Sequence, residues 1–182
     1  LKSDGTLWTW GQNCFLGDGM FRFTRNFATQ MTLPAGIPGI KMIQGTYGIG
    51  GNPSYFVLGT NKELYSLGFN NNGQLGDNTT TTRTSWVNAK NPDGSIITNA
   101  AWISANEHEG GNPTIAVIRV GGLLYTAGSN DFYMIGRTDF VNFLDSPQGI
   151  SSSDIITQVE AGGHSTAVIK LGSVRYGYVG HR

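Results

Sequence analysis

The densest cluster of potential metal ligands in this chain is Glu107-His108-Glu109. Alternate residues of a strand face opposite sides, so the two glutamates would share one face and the histidine the other. That pattern predicts solvated charges rather than a common metal. His164 and Ser165 have the residue types of nucleophilic catalysis, but triad members are gathered from separate elements rather than from adjacent positions. Cys14 is the single cysteine, which excludes an intrachain disulfide and a cysteine metal cage. It follows Asn13 without a basic neighbour in sequence, so an activated thiolate is not expected.

Other motifs carry similarly little chemistry. The run 45-GTYGIGG-51 is glycine-rich like a phosphate-cradling loop. Its G-x-G-x-x-G spacing from Gly48 fails at Pro53, and no helix follows to supply a dipole. Asp18, Asp77, Asp131 and Asp139 fall near equivalent turns. A glycosidase would need two such carboxylates to converge, whereas aspartate also stabilises turns by bonding its own backbone. Asn78-Thr79-Thr80 is a formal glycosylation sequon. The sequence therefore assigns no catalytic, cofactor-binding or metal-binding residue.

Composition agrees with a binding or structural role. The chain has 182 residues, is 38% hydrophobic and carries 12 basic against 12 acidic residues. This neutral balance gives no electrostatic footprint for nucleic acid or for anionic lipid, and no apolar run approaches the ~18 residues of a membrane helix. Surface polarity comes from Asn, Thr, Ser and Gly, as in 70-NNNGQLGDNTTTTRT-84. That style suits an extracellular, cell-surface or virion setting.

Three internal markers share one period. The glycine pair recurs in 50-GGNPSYFVL-58, 110-GGNPTIAVI-118 and 161-AGGHSTAVI-169. An aromatic column follows at Trp8, Tyr65, Tyr125 and Tyr176, and an apolar-glycine step at Leu16-Gly17, Leu75-Gly76 and Ile135-Gly136. The repeat is thus roughly 50–60 residues long, with units at about 1–39, 40–99, 100–156 and 157–182. Each unit reads as short strands rich in β-branched and aromatic residues. In the second they are 41-KMIQGTY-47, 54-SYFVLGT-60, 63-ELYSLGF-69 and 84-TSWVNA-89. In the third they are 102-WISANE-107, 114-TIAVIRV-120 and 123-LLYTAGS-129. Two-residue turns are expected at Asp4-Gly5, Asn61-Lys62, Gly121-Gly122 and Gly172-Ser173. Almost no helix is expected, because no segment sustains a 3.6-residue apolar period.

Four short strands at this period predict an all-β fold, a β-propeller of four-stranded antiparallel blades. The glycine pairs are expected where strands crowd near the propeller axis, and the aromatic column is expected in the core between blades. At about 57 residues per blade the chain holds about three blades of a larger wheel. It reads as a partial propeller, its remaining blades lying in the same chain or in neighbouring subunits.

The segments 1-LKSDGTLWTWGQNCFLGDG-19, 64-LYSLGFNNNGQLGDN-78 and 161-AGGHSTAVIK-170 resemble the repeat of the regulator-of-chromosome-condensation family, in a bacterial or phage-like version. The resemblance covers nearly the whole chain. It implies a seven-bladed propeller and, for His164, a structural hydrogen-bonding role. Two copies replace that histidine with Asn52-Pro53 and Asn112-Pro113, and 128-GSNDFYMIG-136 departs from the family's glycine turn. Family members act as exchange factors for a small GTPase, as protein inhibitors of β-lactamase and as scaffolds. The repeat, the neutral polar surface and the missing catalytic set point to a non-enzymatic interaction or structural module, with a propeller-scaffold enzyme on polysaccharide, which the turn aspartates would serve, or a nuclear exchange factor, which the resemblance suggests, as alternatives.

Specificity in such a scaffold belongs to its loops. The insertions 18–30, 77–85, 88–99 and 137–149 carry aromatic and arginine side chains, which are enriched at interfaces. Phe21, Phe23, Arg25, Arg83, Arg137, Phe140 and Phe143 are the candidate contacts. A protein or a surface glycan is the expected partner, without nucleic acid, membrane insertion or cofactor.

Overall fold

The structure is a computed structural model that describes residues 1–21, 24–48, 50–106, 111–137, 146–172 and, as backbone, 176–180. Twelve strands follow one another: β1 (Trp8–Gln12), β2 (Thr24–Gln30), β3 (Ile40–Gly48), β4 (Asn52–Gly59), β5 (Leu64–Gly68), β6 (Arg83–Asn88), β7 (Ala100–Ala105), β8 (Thr114–Arg119), β9 (Leu124–Gly128), β10 (Ile156–Ala161), β11 (Ser165–Lys170) and β12 (Tyr176–Gly180). They form four antiparallel meanders, β1-β2, β3-β4-β5-β6, β7-β8-β9 and β10-β11-β12. These are blades one to four of a partial propeller, and blade two has all four strands. No helix occurs among the described residues.

Alternation decides what each strand buries. In β4, Val57 joins Leu7, Phe15 and Leu67 in the core between blades one and two. Its neighbours Phe56 and Leu58 join Ile103, Ile115 and Val117 between blades two and three. In β8 the next pair, Ala116 and Ile118, packs with Val159 and Val168 between blades three and four. A central strand has a blade on either side, so both of its faces are apolar, and successive side chains point to opposite neighbours. Tyr65 and Tyr125 of the aromatic column lie in these seams. Trp8 is half-buried, and its indole N–H donates to Thr6 Oγ1 at 2.8 Å.

First strands meet first strands: β3 packs on β7, and β7 on β10. The docking uses the same positions twice. Gln44 Oε1 accepts the Ala105 N–H at 3.4 Å, and Ser104 Oγ accepts the Ala161 N–H at 3.0 Å. Thr46 Oγ1 bonds Asn106 Oδ1 at 3.2 Å, and Asn106 Nδ2 reaches Gly163 O at 3.5 Å. Each first strand also has a register shift at its second residue, Lys41, Ala101 or Thr157. Lys41 Nζ donates to Ala101 O at 2.9 Å.

Two expectations are corrected. At Asp4-Gly5, Asn61-Lys62 and Gly121-Gly122 the hairpin loops hold three residues rather than two, while Ser173 of the fourth expected turn lies outside the described residues. Gly59 N–H donates to Glu63 O at 2.9 Å and Lys62 N–H to Gly59 O at 3.0 Å, enclosing Thr60, Asn61 and Lys62. The same bonds join Lys2, Gly5 and Thr6, and again Arg119, Gly122 and Leu123. The left-handed residue is Lys62 (φ +65°), while Asn61 Oδ1 instead accepts the Glu63 N–H at 3.2 Å. The second correction concerns the glycine pair. A Cβ on Gly51 would meet nothing within 4 Å, and its φ of +72° in the β3–β4 turn accounts for that glycine, whereas at Gly162 a Cβ would lie 3.2 Å from the Ser165 carbonyl oxygen, as crowding predicts. Close approach operates at Gly68 and Gly128, where a Cβ would lie 2.4 and 2.2 Å from the carbonyl oxygens of Pro53 and Pro113.

Candidate functional site

In an antiparallel meander the first-to-second and third-to-fourth connections leave by the same end. The turns 48–52 and 162–164 and the loops 69–82 and 129–137 therefore share one rim, and the three-residue hairpins occupy the opposite one. The rim loops after β5 and β9 repeat one scaffold. Asn70 O accepts the Gly73 N–H at 2.9 Å, and Gly73 O accepts the Gly76 N–H at 3.0 Å. Asn130, Tyr133 and Gly136 form the same chain of bonds at 2.9 and 2.9 Å.

The two loops diverge in what they display. Gly73 has φ +70°; its counterpart Tyr133 has φ +58°. That region costs a side chain roughly 1–2 kcal/mol, which glycine avoids. Tyr133 is nevertheless 64% exposed. Next to it, half-buried Phe132 packs on His164 of blade four, with ring centroids 4.2 Å apart. Asp131 is also exposed there. A turn closed by two backbone hydrogen bonds thus presents a large aromatic group to solvent beside a second aromatic pair.

The expected contact residues are placed unevenly. Phe21 is partly exposed and bridges back to Phe15, its ring 4.9 Å from that of Phe15. Arg25 is half-buried in β2, opposite Gly11. Arg83 is held within blade two, its Nε donating to Asp77 Oδ2 at 2.7 Å and its Nη2 to Thr79 Oγ1 at 3.2 Å. Arg137 is buried, and its Nη2 donates to Thr126 O at 3.1 Å. Phe23, Phe140 and Phe143 lie outside the described residues. Tyr133 was not expected from the sequence, because an exposed tyrosine in a left-handed turn has no compositional signature.

The other motifs resolve as architecture. Gly45 and Gly48 of the glycine-rich run lie in β3. Asp77 is buried; it accepts the Thr79 N–H at 3.1 Å and Asn70 Nδ2 at 3.1 Å in addition to its arginine. Asp18 Oδ1 accepts the Met20 N–H at 3.0 Å. The sequon residue Asn78 has φ +65°, and its amide donates to Asn91 O at 2.8 Å, so the nitrogen a glycan would need is engaged. Glu107, His108, Glu109 and Asp139 lie outside the described residues. Among the described residues no three His, Cys, Asp or Glu side chains converge as metal ligands.

Among the described residues the clear electrostatic perturbations fall in turns and seams. Asp4, Asp93 and Asp154 are held below the ordinary carboxylate range, chiefly by side-chain hydrogen bonds from Thr6, Ser95 and Lys170 respectively. The Tyr55 phenol is pushed up to about 12 by burial, against a lowering hydrogen bond with Thr9. Its oxygen lies 3.2 Å from Thr9 Oγ1, across the seam between blades one and two.

No protein-family profile matches the chain, and no curated protein matches its sequence. Solved structures do match its shape. Human WBSCR16 superposes with a TM-score of 0.65 at 15% identity, covering 94% of this chain and 39% of that one. Prp20p from Saccharomyces cerevisiae, described with its binding properties to Gsp1p and histones, gives a TM-score of 0.65 at 18% identity, covering 95% of this chain and 42% of its own. Yeast RCC1 (Prp20) bound to Kap60 gives 0.62 at 20% identity, with 93% and 38% covered. The chain thus spans about two-fifths of the proteins it matches. The likeness shows the fold, a β-propeller like that of yeast RCC1.

Proposed function

We propose that the chain is a non-enzymatic, protein-binding segment of a larger β-propeller, whose further blades lie in the same polypeptide or in neighbouring subunits. The observation that carries this is Tyr133, an exposed ring kept in a left-handed turn where blade two uses glycine. Backbone strain of this kind persists where surrounding structure over-determines it and is concentrated at binding sites. Tyrosine is also among the residues that dominate interface energetics. The structural neighbours support the reading, since Prp20 is described bound to Kap60 and binding Gsp1p and histones. Phe21 and Arg25 would extend the contact. An exchange-factor-like role belongs to the same class, and the Asn- and Thr-rich surface favours an extracellular or virion-associated setting.

The polysaccharide-enzyme reading has less behind it. It requires converging carboxylates, and Asp77 is taken up by Arg83 and its own turn.

A photo-crosslinking amino acid at position 133, in the native host, tests the proposal. Protein adducts should form there and not from position 62 on the opposite rim. Equal yields at both positions, or adducts at neither, would overturn it. Tyr133→Gly should raise stability in urea by about 1 kcal/mol while weakening capture of the crosslinked partner.

A further inference from the structure

The seam between blades three and four opens at the hairpin rim into a groove of about 480 Å³, lined by Trp102, Ile118, Val120, Ile155 and Thr157. A blade stands on each side of it, β7-β8-β9 and β10-β11-β12, so the opening is set by the side chains at its mouth. Trp102, Val120 and Ile155 are 48%, 50% and 45% exposed there.

The seam between blades two and three shows what fills the same place one blade earlier. The strand registers align the two seams, so that Lys41 corresponds to Ala101, Met42 to Trp102 and Ala101 to Thr157. Matching bonds, Val120 N–H to Asn99 O and Leu171 N–H to Ile155 O, place Asn99 where blade four has Ile155. Lys41 crosses its seam and donates from Nζ to Ala101 O at 2.9 Å. In the next seam Ala101 holds the lysine's place, and its methyl group cannot reach the equivalent carbonyl, that of Thr157. The hairpin beside the groove is also pared back, with Gly121-Gly122 where blade two has Asn61-Lys62. A Cβ on Gly122 would lie 2.6 Å from Ile155 Cγ2, so glycine is what lets that apolar side chain lie against the hairpin. Arg119 turns its charge to the other seam, its guanidinium carbon 4.1 Å from the Tyr125 ring centroid and its Nη2 bonded to Asn91.

We propose that this groove binds a primary ammonium on an aliphatic stem, the lysine side chain of a partner protein, as the neighbouring seam holds Lys41. The ammonium donates to Thr157 O, and the stem packs between Val120 and Ile155 with Trp102 alongside. Tryptophan has the aromatic face that attracts cations best. A lysine stem covers apolar surface while its charged end stays near water. Arginine fits less well, because one carbonyl acceptor cannot engage a planar fork of donors. The groove lies on the rim opposite Tyr133 and stands without the reading of that residue.

The probe that tests this is Nα-acetyl-lysine methylamide, titrated against the chain while the amides of Gly121, Gly122 and Thr157 are followed by NMR. Their shifts should move together and saturate. The norleucine analogue keeps the stem without the ammonium and should bind at least about tenfold more weakly. Ala101→Lys should fill the groove from within, as Lys41 does next door, and weaken the probe at least about tenfold. Trp102→Leu, at a half-exposed position, should weaken it as well. Equal binding of the two analogues would make the groove merely apolar and overturn the proposal. Probe shifts that persist in Ala101→Lys, or that never saturate in the parent chain, would overturn it too. Tyr133→Gly should leave the titration unchanged, which separates this result from the fate of the rim reading.

Discussion

The seam between blades two and three and the seam between blades one and two are assembled from the same positions, yet they end in different states. Ile103 and Ile115 fill the first, closed over by Phe56, Leu58 and Met42. Their counterparts in the second are Ile43, which is exposed, and Tyr55, half-buried with its hydroxyl turned to Thr9. Both pairs sit on strands with the same local register and the same bulge after the first residue. The contrast teaches that a repeat position specifies a direction, whereas burial depends on what the next blade brings to it.

The sharpest way to break that comparison is truncation at its central pair. Ile103→Ala should cost about 2–5 kcal/mol, since the side chain is fully enclosed. Ile43→Ala should stay within about 0.5 kcal/mol, as an exposed apolar residue does. Equal losses in urea unfolding would show that the two seams are energetically alike.

A second pair separates strain from space. Gly68 and Gly11 share left-handed backbones, φ +111° and +116°. A Cβ on Gly68 would strike Pro53 O, while one on Gly11 meets nothing within 4 Å. Gly11→Ala should therefore cost about 1–2 kcal/mol from conformation alone. Gly68→Ala should add about 1–3 kcal/mol for the forced backbone shift. Denaturation midpoints that coincide would mean the proline carbonyl yields freely.

The smallest effect is a pH dependence. Tyr55 ionises near 12 in the fold and near 10 when unfolded, so its contribution is complete below pH 10 and fades as pH rises toward 12. Tyr55→Phe should be less stable than the parent at pH 8, by about 1 kcal/mol for the lost hydrogen bond. That deficit should shrink at pH 11. Ile115→Val, at the matching position of the filled seam, should show the same deficit at both pH values; a parallel response would sink the distinction.

Much of this architecture was legible in the sequence, because continuous apolar runs such as that within Thr114–Arg119 mark strands buried on both faces, whose alternate residues must enter successive seams. Turn chemistry was less legible. Asn61-Lys62 reads as a two-residue turn until Asn61 is seen to spend its carbonyl on the Glu63 N–H, which leaves the left-handed residue to Lys62. Arg137 reads as loop surface, but a backbone carbonyl of β9 draws its guanidinium inward. Tyr133 was illegible for a different reason. Its conformation is inherited from the bonding scheme of the loop, whose end residues Asn130 and Gly136 fix it whatever side chain stands between.

One pair of hydrogen bonds bears on how such a chain can change over time. The Ala100 N–H donates to Lys62 O and the Ile156 N–H to Gly122 O, both at 2.9 Å, so each new blade is pinned to the hairpin of the one before. All four atoms belong to the backbone. The angle at which one unit follows another is thereby shielded from substitution, and copies are free to drift, with Gln44, Ser104 and Glu160 now standing at one position. Curvature is inherited through the main chain, while the side chains are left to diversify.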